Sequence, residues 1–339
     1  MTGIAVIGLG YWGPKIARNL SRLQELGEVE RLIACDLNEG KCDAIKSQHP
    51  KAETTTDFDS VLSNKSIKGL VIATPVTTHY KIAKQALLAG KHIMIEKPLT
   101  QTAKQAEELI KIAREKKLVL MAGHTFEYTS AVNKAKEIID SGELGKILFV
   151  NSSRLNLGLF QLDPIDVLYD LAPHDISIIN FWLGKEPKAV SASGKSHFIP
   201  GIVDDAHLCM EYSDGVIANV HDSWLYPVKD REMAVVGTKK MLVYDITKEN
   251  ELTVYDKGVD LLQENAKSAK DISYRDKGAV PIPTEKTEAL QAELAHFIEC
   301  IEQGKAPKTS GEIGLRVVKV LEAAEHSLAH NGARVEIRE

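Results

Sequence analysis

The first thirty-six residues constrain the fold more than any other part of the chain. The apolar run Ile4–Ile7 leads directly into the glycine-rich stretch Gly8–Gly13, an amphipathic segment follows, and a second apolar run, Leu32–Cys35, ends on Asp36. Strand, glycine turn, helix, strand and acid in this order form the dinucleotide-binding unit of a Rossmann domain, with the phosphates at the helix N-terminus. The order therefore predicts a doubly wound α/β domain that binds a dinucleotide.

Each residue of the glycine turn has its own task in this interpretation. Gly8 allows the tight turn, Gly10 lets the backbone approach a pyrophosphate, and Gly13 lets the helix pack on the strand. Tyr11 and Trp12 lie between these glycines and are predicted to contact the cofactor with them.

Asp36 indicates which dinucleotide is bound. A carboxylate at this position accepts hydrogen bonds from a free ribose diol and repels a 2′-phosphate. Leu37 follows it, so no adjacent arginine favours that phosphate. We therefore expect NAD rather than NADP.

The pattern of apolar runs changes near residue 122. Up to that point continuous apolar runs alternate with helical stretches, as in strands buried on both faces of a parallel sheet. Helices are then predicted at 132–139 and 166–183, followed by several strands joined by short turns, which is typical of an antiparallel sheet. We expect an NAD-binding Rossmann domain over residues 1–122 and an α+β domain for substrate binding and oligomerisation over residues 123–339.

The end of the chain gives weaker signals. Residues 256–284 are polar and weakly periodic, which is typical of a solvated surface excursion, a mobile loop or an oligomer contact. Two closing helices are predicted at 288–302 and 312–330, the second with a capping box formed by Thr309 and Glu312.

Composition excludes several classes of partner. The chain has 339 residues, 44% of them hydrophobic, and a net charge of −5, so it offers no basic patch for nucleic acid or an anionic membrane. No apolar run approaches the roughly 18–20 residues of a membrane span, and a strand begins too early to leave room for a signal peptide. The four cysteines form no CxxC pair and are expected to be reduced thiols. These features predict a cytoplasmic protein.

Polar residues follow two predicted strands of the first domain, where a ligand lies across the strand ends. Thr74, Pro75 and His79 come directly after one strand, and the alternative is an ordinary helix start. Glu96 and Lys97 follow another, and a lysine beside a nicotinamide can hold or protonate a substrate oxygen. The alternative for this second group is a surface ion pair.

A second group of polar residues lies in the other domain. Asp170 and His174 are four residues apart and share one helix face, so the carboxylate can orient the imidazole as a general base. Pro173 interrupts that helix and can aim His174. The alternative is a capping aspartate with an exposed histidine. Arg154 and Asn156 end a predicted strand and suit a phosphate or sugar hydroxyls, or else are polar residues of a sheet edge.

A metal centre is not expected. His174, Asp170 and Asp175 could ligate an ion, with His221 and Asp222 in addition, but no cysteine lies nearby and the spacing matches no closed structural site. A GxSxG serine site is also absent from the sequence.

Taken together, these motifs resemble the Gfo/Idh/MocA oxidoreductase family, and the resemblance spans both domains. The motifs are Gly8–Pro14, Ala73–Pro75 with His79, Glu96–Leu99, and Asp170 with His174.

The resemblance implies a second domain built on a large, open, mostly antiparallel sheet that commonly mediates dimers or tetramers. It implies that Lys97 is the catalytic lysine, that Asp170 and His174 are the substrate-domain pair, and that Glu96 lies near the nicotinamide ribose. It also implies a cis peptide bond between Lys97 and Pro98. Either Lys97 or His174 is the formal base.

One motif departs from the family pattern D-x-G-x-H-x-x-D. Ala172 stands at the glycine and Ser177 at the last acid, while Asp175 is an additional acid beside the histidine. The Asp–His core is kept, and the substrate contacts around it are expected to differ.

Within the family, three segments resemble the nucleotide-sugar branch: Gly10–Pro14, Gly123–Phe126 and Asp170–Asp175. We therefore expect NAD-dependent oxidation of a secondary hydroxyl, at C3 of a UDP-N-acetylhexosamine or its uronate. Lys97, Arg154, Asn156, Asp170 and His174 are the predicted substrate contacts. The alternatives are a dehydrogenase of a free sugar or inositol, an NAD-using glycosidase, and a non-catalytic sugar- or redox-sensing regulator.

Overall fold

The computed structural model describes residues 2–158, 165–263 and 267–337. The chain divides into two compact units. Unit 1 comprises Met1–Tyr128 and Glu288–Lys319, and unit 2 comprises Thr129–Thr287 and Val320–Glu339. The division differs from the predicted single boundary after residue 122, because the chain returns to unit 1 near its C-terminal end.

Unit 1 contains a parallel sheet of six strands in the order β3-β2-β1-β4-β5-β6. Its strands are β1 Thr2–Ile7, β2 Val29–Cys35, β3 Glu53–Thr55, β4 Ile67–Ile72, β5 His92–Glu96 and β6 Leu120–Gly123. Its helices are α1 Gly13–Glu25, α2 Glu39–Gln48, α3 Phe58–Ser63, α4 Val76–Leu88, α5 Ala103–Lys116, α8 Ala289–Gln303 and the first part of α9 Gly311–Ala329. The strand order reverses between β1 and β4, which is where doubly wound sheets bind their ligands.

Helix α8 belongs to unit 1 because of its apolar face. Leu294 and Phe297 are fully buried and share one core cluster with Ile4 of β1 and Leu20 of α1. These side chains are removed from solvent only when α8 packs on the Rossmann sheet. Burial of their apolar surface therefore explains why this C-terminal helix belongs to unit 1.

Unit 2 contains a nine-stranded sheet in the order β14-β13-β12-β11-β7-β10-β9-β8-β15. Its strands are β7 Ile147–Leu157, β8 Ala189–Lys195, β9 Asp205–Glu211, β10 Ile217–Ser223, β11 Leu225–Gly237, β12 Met241–Asp245, β13 Leu252–Leu261, β14 Ile272–Ile282 and β15 Val335–Glu336. Its helices are α6 Ser130–Asp140, α7 Val167–Leu183 and the last part of α9. Strands β7 and β10 are parallel, and the other described pairs are antiparallel. The predicted mostly antiparallel sheet is confirmed.

The two faces of this sheet differ. On one face Val150, Val220 and Val235 are buried, and helices α6 and α7 pack against this sheet. On the opposite face Phe149 and Ile217 are exposed and lie side by side on β7 and β10. The alternation of buried and exposed residues along each strand produces this difference.

Near the end of the chain, the structure adds strands to a segment with weak sequence signals and differs from one predicted cap. The segment 256–284 contains most of an antiparallel hairpin, because β13 pairs with β14. Most of β14 is exposed, so it lacks the alternation that marks a half-buried strand. Helix α9 begins at Gly311, so Ser310 rather than the predicted Thr309 directly precedes it, and the buried Thr309 hydroxyl donates to the carbonyl of Ala122 at 2.7 Å.

All four cysteines are free thiols. Among the described residues, no helix combines the length and the hydropathy that a bilayer crossing requires.

Candidate active site

The glycine turn at the end of β1 has the geometry that a dinucleotide needs. Gly8 has a φ of +94°, and a Cβ there would lie 2.8 Å from the carbonyl oxygen of Ala73. A Cβ on Gly13 would lie 2.0 Å from the carbonyl oxygen of Gly8, so only glycine lets α1 start this close to the turn. A Cβ on Gly10 would meet no atom within 4 Å, which leaves open space over the turn for a ligand. The three glycines thus differ as their predicted tasks require.

Asp36 is fixed at the end of β2 beside this turn. One carboxylate oxygen accepts a hydrogen bond from the Leu9 amide at 2.6 Å, and the other accepts one from the Asn38 amide at 2.9 Å. The Lys41 ammonium lies 3.6 Å from the same carboxylate and adds a positive charge that the sequence motif does not indicate. The carboxylate is therefore held in place where a ribose diol is expected.

Two aromatic residues and a lysine border the turn. Tyr11 is 81% exposed, and its ring stacks on Trp12 with the centroids 6.4 Å apart. The Lys15 ammonium lies 3.9 Å from the centroid of one ring and 4.2 Å from the other. Lys15 thus adds a positive charge at the N-terminus of α1, where the helix dipole is also positive. Both attract phosphate.

His79 links two loops of unit 1. One ring nitrogen lies 2.8 Å from the carbonyl oxygen of Thr74, and the other lies 3.0 Å from that of Pro98. The ring is buried, and burial lowers the pKa of His79, so the imidazole is held neutral. Thr74 also receives a hydrogen bond from the Thr78 hydroxyl at 2.7 Å. Within unit 1 this ring supports the strand ends, and a cofactor contact by Thr74, Pro75 and His79 stays a prediction.

Glu96 and Lys97 lie where β5 ends. The Lys97–Pro98 peptide bond is cis, as the resemblance implies. Glu96 is buried, and burial raises its pKa to about 7, although the positive charge of Lys97 opposes the shift. One oxygen of this carboxyl group has no hydrogen-bond partner among the described residues. A buried carboxyl group next to a lysine is thus present on the loop that the sequence singled out.

Three further polar residues lie around this carboxyl group, and the sequence predictions assign no role to any of them. Glu293 of α8 is fully buried and accepts a hydrogen bond from the Thr125 hydroxyl at 2.6 Å. Burial, reinforced by the charge of Glu96, raises the pKa of Glu293 well above its usual range. His124, directly after β6, is buried with neither ring nitrogen bonded to any described residue, and burial lowers its pKa to about 4, helped by Lys97. Only the resemblance had pointed to the segment that carries Thr125 and His124, and nothing in one sequence points to Glu293.

In unit 2, Asp170 and His174 lie one turn apart on α7, as predicted. The helix begins after Asp166, whose side chain accepts a hydrogen bond from the Tyr169 amide at 3.0 Å. The indole N–H of Trp224, directly after β10, donates to Asp170 at 3.2 Å. A buried tryptophan thereby holds the carboxylate of the predicted catalytic pair, a partner that no sequence signal marked.

Arg154 and Asn156 already have partners within unit 2. The Arg154 guanidinium donates to both oxygens of Asp175 at 2.7 and 3.1 Å, and both side chains are buried. Asp175 also accepts a hydrogen bond from the Ser152 hydroxyl at 2.7 Å. The side-chain oxygen of Asn156 accepts a hydrogen bond from Arg231. The extra acid beside His174 thus anchors α7 to β7, and substrate contacts by Arg154 and Asn156 remain predictions.

The residues of unit 1 fit an NAD molecule. The open space over Gly10, the N-terminus of α1, the fixed carboxylate of Asp36 and the unsatisfied oxygen of Glu96 provide a place for phosphates, a ribose diol and a polar group of the nicotinamide half. The donor set is that of a dinucleotide site.

A Rossmann unit with this turn, together with a second unit carrying an Asp–His pair, defines an NAD-dependent oxidoreductase. Family models agree in both parts of the chain. Residues 2–124 match the oxidoreductase family model with an NAD-binding Rossmann fold, and residues 132–243 match the GFO/IDH/MocA C-terminal domain. The chain belongs to the Gfo/Idh/MocA family, and it is an NAD-dependent dehydrogenase acting on CH–OH groups.

Three similar proteins show how broad that family is. The scyllo-inositol 2-dehydrogenase (NAD(+)) of Bacillus subtilis is 27% identical, with 89% of this chain and 87% of the relative covered. The UDP-N-acetylglucosamine 3-dehydrogenase of Acidithiobacillus ferrooxidans is also 27% identical, with 92% and 93% covered. The structure of GenD2 from gentamicin A biosynthesis, in complex with NAD, superposes with a TM-score of 0.81 at 24% identity and covers 100% of this chain and 97% of that one. These similarities support the fold and the reaction class, and they span more than one kind of substrate.

Proposed function

We propose that this protein oxidises a secondary hydroxyl of a nucleotide sugar to a ketone, at C3 of a UDP-N-acetylhexosamine or its uronate. The observation that carries the proposal is the loop after β5, where Lys97 follows the buried carboxyl group of Glu96 in the same unit as the glycine turn. The full-length similarity to a UDP-N-acetylglucosamine 3-dehydrogenase supports the substrate class.

Lys97 acts on the substrate oxygen in this proposal. Its ammonium group donates a hydrogen bond to the hydroxyl that is oxidised and stabilises the negative charge that develops there. NAD, when bound, supplies the acceptor for the hydride that leaves the carbinol carbon. The neighbouring carboxyl group of Glu96, with its pKa near 7, is protonated or ionised according to pH and so adjusts the charge around Lys97.

His174 takes the hydroxyl proton. Asp170, one turn before it on α7, fixes the orientation of the imidazole and stabilises the imidazolium that forms. Trp224 is a positioning residue, because its N–H holds the Asp170 carboxylate at 3.2 Å. Loss of a hydride from carbon and of a proton from oxygen leaves the C=O bond of the product.

A second candidate is a dehydrogenase of a cyclic polyol or free sugar. It is favoured by the equal identity, 27%, to the scyllo-inositol 2-dehydrogenase of Bacillus subtilis. Both candidates use the same residues of this chain and differ in the part of the substrate that is not oxidised.

The experiment has two steps. Mass spectrometry of the purified protein identifies any retained nucleotide, and NADH formation is then measured with UDP-N-acetylglucosamine, its uronic acid, scyllo-inositol and free hexoses. We expect turnover with a UDP-sugar and a 3-keto product. Turnover confined to inositol or a free sugar overturns the nucleotide-sugar assignment, and no NADH from any of these substrates overturns both candidates.

We also propose that the protein forms a homodimer or homotetramer through the open face of the unit 2 sheet. Phe149 and Ile217 lie side by side there and are 37% and 42% exposed. Light scattering on a Phe149→Glu variant tests this, and a mass equal to that of the wild-type assembly contradicts it.

A further inference from the structure

Three potential metal ligands lie on one face of the unit 2 sheet. His207 of β9 is directly opposite His221 of β10 in the antiparallel register. Asp205 precedes His207 by two residues, so the two side chains project from the same face of β9. Asp222, the potential ligand adjacent to His221 in sequence, is fully buried and projects from the other face. Strand register thus selects a different carboxylate from the one that is adjacent in sequence.

The three side chains converge at their polar ends. The Nε2 atom of His221 lies 3.0 Å from one oxygen of Asp205, and the Nε2 atom of His207 lies 3.8 Å from the other. The two rings stack with centroids 3.9 Å apart and planes 17° apart, so both nitrogens point to the same carboxylate. One ligand atom from each residue lies within 4.8 Å of the others.

These separations suit a single ion. Zinc lies about 2.0–2.2 Å from nitrogen and oxygen ligands, so neighbouring ligand atoms of a tetrahedral site are about 3.4 Å apart. The two observed nitrogen–oxygen distances fall on either side of that value. Small rotations of the side chains bring both nitrogens and one carboxylate oxygen to it, and the fourth position is left open on this chain.

The ligand types define the kind of ion. Imidazole nitrogens favour zinc, nickel, cobalt and copper, whereas calcium and magnesium prefer sites made of oxygen alone. Burial and the neighbouring His221 lower the pKa of His207, which favours the neutral imidazole that binds metal. Burial acts to raise the pKa of Asp205, but hydrogen bonds from His221 and Ser223 outweigh it and lower that pKa, so the carboxylate is ionised.

The neighbouring strands present mostly neutral groups to this site. Ser193 of β8 lies opposite His207, and Ser153 of β7 lies opposite His221. Lys195 is the residue opposite Asp205 on β8, and it is exposed and flexible enough to turn away from an ion.

We propose that Asp205, His207 and His221 form a binding site for a divalent transition-metal ion such as Zn²⁺. The ion joins β9 to β10 on the open face of the sheet and stabilises unit 2 by binding to the folded state. This proposal does not rest on the proposed dehydrogenase substrate.

The test is a titration of the EDTA-treated, dialysed full-length protein with ZnCl₂, followed by calorimetry. We expect one high-affinity Zn²⁺ per chain and a raised melting temperature. The variants His207→Gln and His221→Gln should weaken binding by more than the roughly 10–100-fold that loss of a supporting partner costs, since each removes a ligand. Bound Co²⁺ should give the visible absorption of a four-coordinate site.

A second histidine pair provides the control. His326 and His330 stack at 4.1 Å one helical turn apart, and such a pair can also chelate a metal. The double variant His326→Gln, His330→Gln should retain the high-affinity ion if the site on β9 and β10 is real. Absence of high-affinity Zn²⁺ in the wild-type protein overturns the proposal, and so does an ion that is lost in the helix variant and kept in His207→Gln. Circular dichroism and NAD binding check that each variant is folded.

Discussion

Two buried sets of charged groups, the Arg154–Asp175 pair in unit 2 and the Glu96–Glu293 set in unit 1, differ in how their oxygens are partnered. In unit 2, Asp175 is fully buried but its two oxygens accept hydrogen bonds from Arg154 and Ser152. In unit 1, Glu96 and Glu293 are also buried, yet each keeps one oxygen without a partner among the described residues. The difference separates a closed ion pair, which serves as scaffold, from an open set of carboxyl groups that responds to protons and ligands.

The physical consequences of the two arrangements are also different. A buried bidentate ion pair is neutral as a whole. Removing one partner leaves an uncompensated buried charge and lowers the free energy of unfolding. Unpaired buried carboxyl groups avoid the cost of a buried charge by keeping their protons, so their state changes with pH. We therefore expect substitutions in the Arg154–Asp175 pair to act on stability, and substitutions around Glu96 and Lys97 to act on turnover and on pH dependence.

The largest effect is expected from Lys97→Ala. The variant removes the group that holds and polarises the substrate oxygen, so turnover should fall by roughly 10²–10⁴-fold while NAD still binds. Steady-state rates and NAD titration by fluorescence measure the two quantities. Lys104→Ala, an exposed lysine of the same unit, is the control and should be fully active. Near-normal turnover in Lys97→Ala would exclude the assigned role.

Asp175→Ala should break the scaffold of unit 2. The substitution removes both hydrogen bonds from the buried Arg154 guanidinium to Asp175, while the buried Asp222 stays nearby as a second carboxyl group. The cost should therefore lie near the lower end of the roughly 3–5 kcal/mol that breaking a buried pair takes from the unfolding free energy. Urea unfolding followed by circular dichroism measures the loss. Asp214→Ala removes an exposed partner of Lys185 and should cost no more than about 1 kcal/mol. Equal losses in the two variants would show that the buried pair does not stabilise the unit.

Sequence alone predicts the parts of this molecule that depend on local pattern. The continuous apolar runs of β1 and β4 identify buried parallel strands, and the glycine turn identifies the cofactor loop. β3 was missed because it is a three-residue edge strand, Glu-Thr-Thr, without an apolar run. β14 was missed because most of its side chains are exposed.

Contacts between distant segments could not be predicted in the same way. Glu293 acts on Glu96 from a helix almost two hundred residues later, and only the packing of α8 on the Rossmann sheet brings the two charges near each other. Trp224 reaches Asp170 because β10 lies next to α7 in the folded unit. Spacing along the chain carries no information about such pairs.

The pH dependence of stability tests the open set of carboxyl groups. The pKa of Glu96 is raised to about 7 and that of Glu293 is raised well above its usual range, so the folded state keeps protons that the unfolded chain releases near pH 4.5. The unfolding free energy of unit 1 should therefore fall as pH rises from about 4.5 to 7, by on the order of 3 kcal/mol for Glu96 alone.

Glu293→Gln should make that fall smaller, because a neutral amide replaces a group that must ionise. Thermal unfolding between pH 5 and pH 8 measures the slope, and NAD binding reports on unit 1 itself. Glu299→Gln, an exposed glutamate of the same helix whose pKa Lys305 lowers, is the matched control and should leave the slope unchanged. The same slope in Glu293→Gln and in the wild-type protein would contradict the protonated state of Glu293.

The smallest effect is expected from Trp224→Phe, and it tests whether unit 2 contributes to catalysis as well as to scaffold. The substitution removes one hydrogen bond to Asp170 and keeps most of the buried ring, so kcat/KM should fall about 5–10-fold, which corresponds to roughly 1 kcal/mol. Trp182→Phe is the control, because that indole N–H donates to the carbonyl of Val132 at 2.9 Å from the same helix, α7.

The two tryptophan variants lose the same kind of bond from buried rings, so their losses of stability should be similar. Their activities should differ, because only Trp224 holds a member of the Asp170–His174 pair. Affinity for NAD should be unchanged in both, since the cofactor residues belong to unit 1. Equal kcat/KM in Trp224→Phe and Trp182→Phe would show that the Trp224 indole stabilises unit 2 without positioning Asp170. The hydrogen bond from Trp224 to Asp170 would then be structural, like that of the Arg154–Asp175 pair.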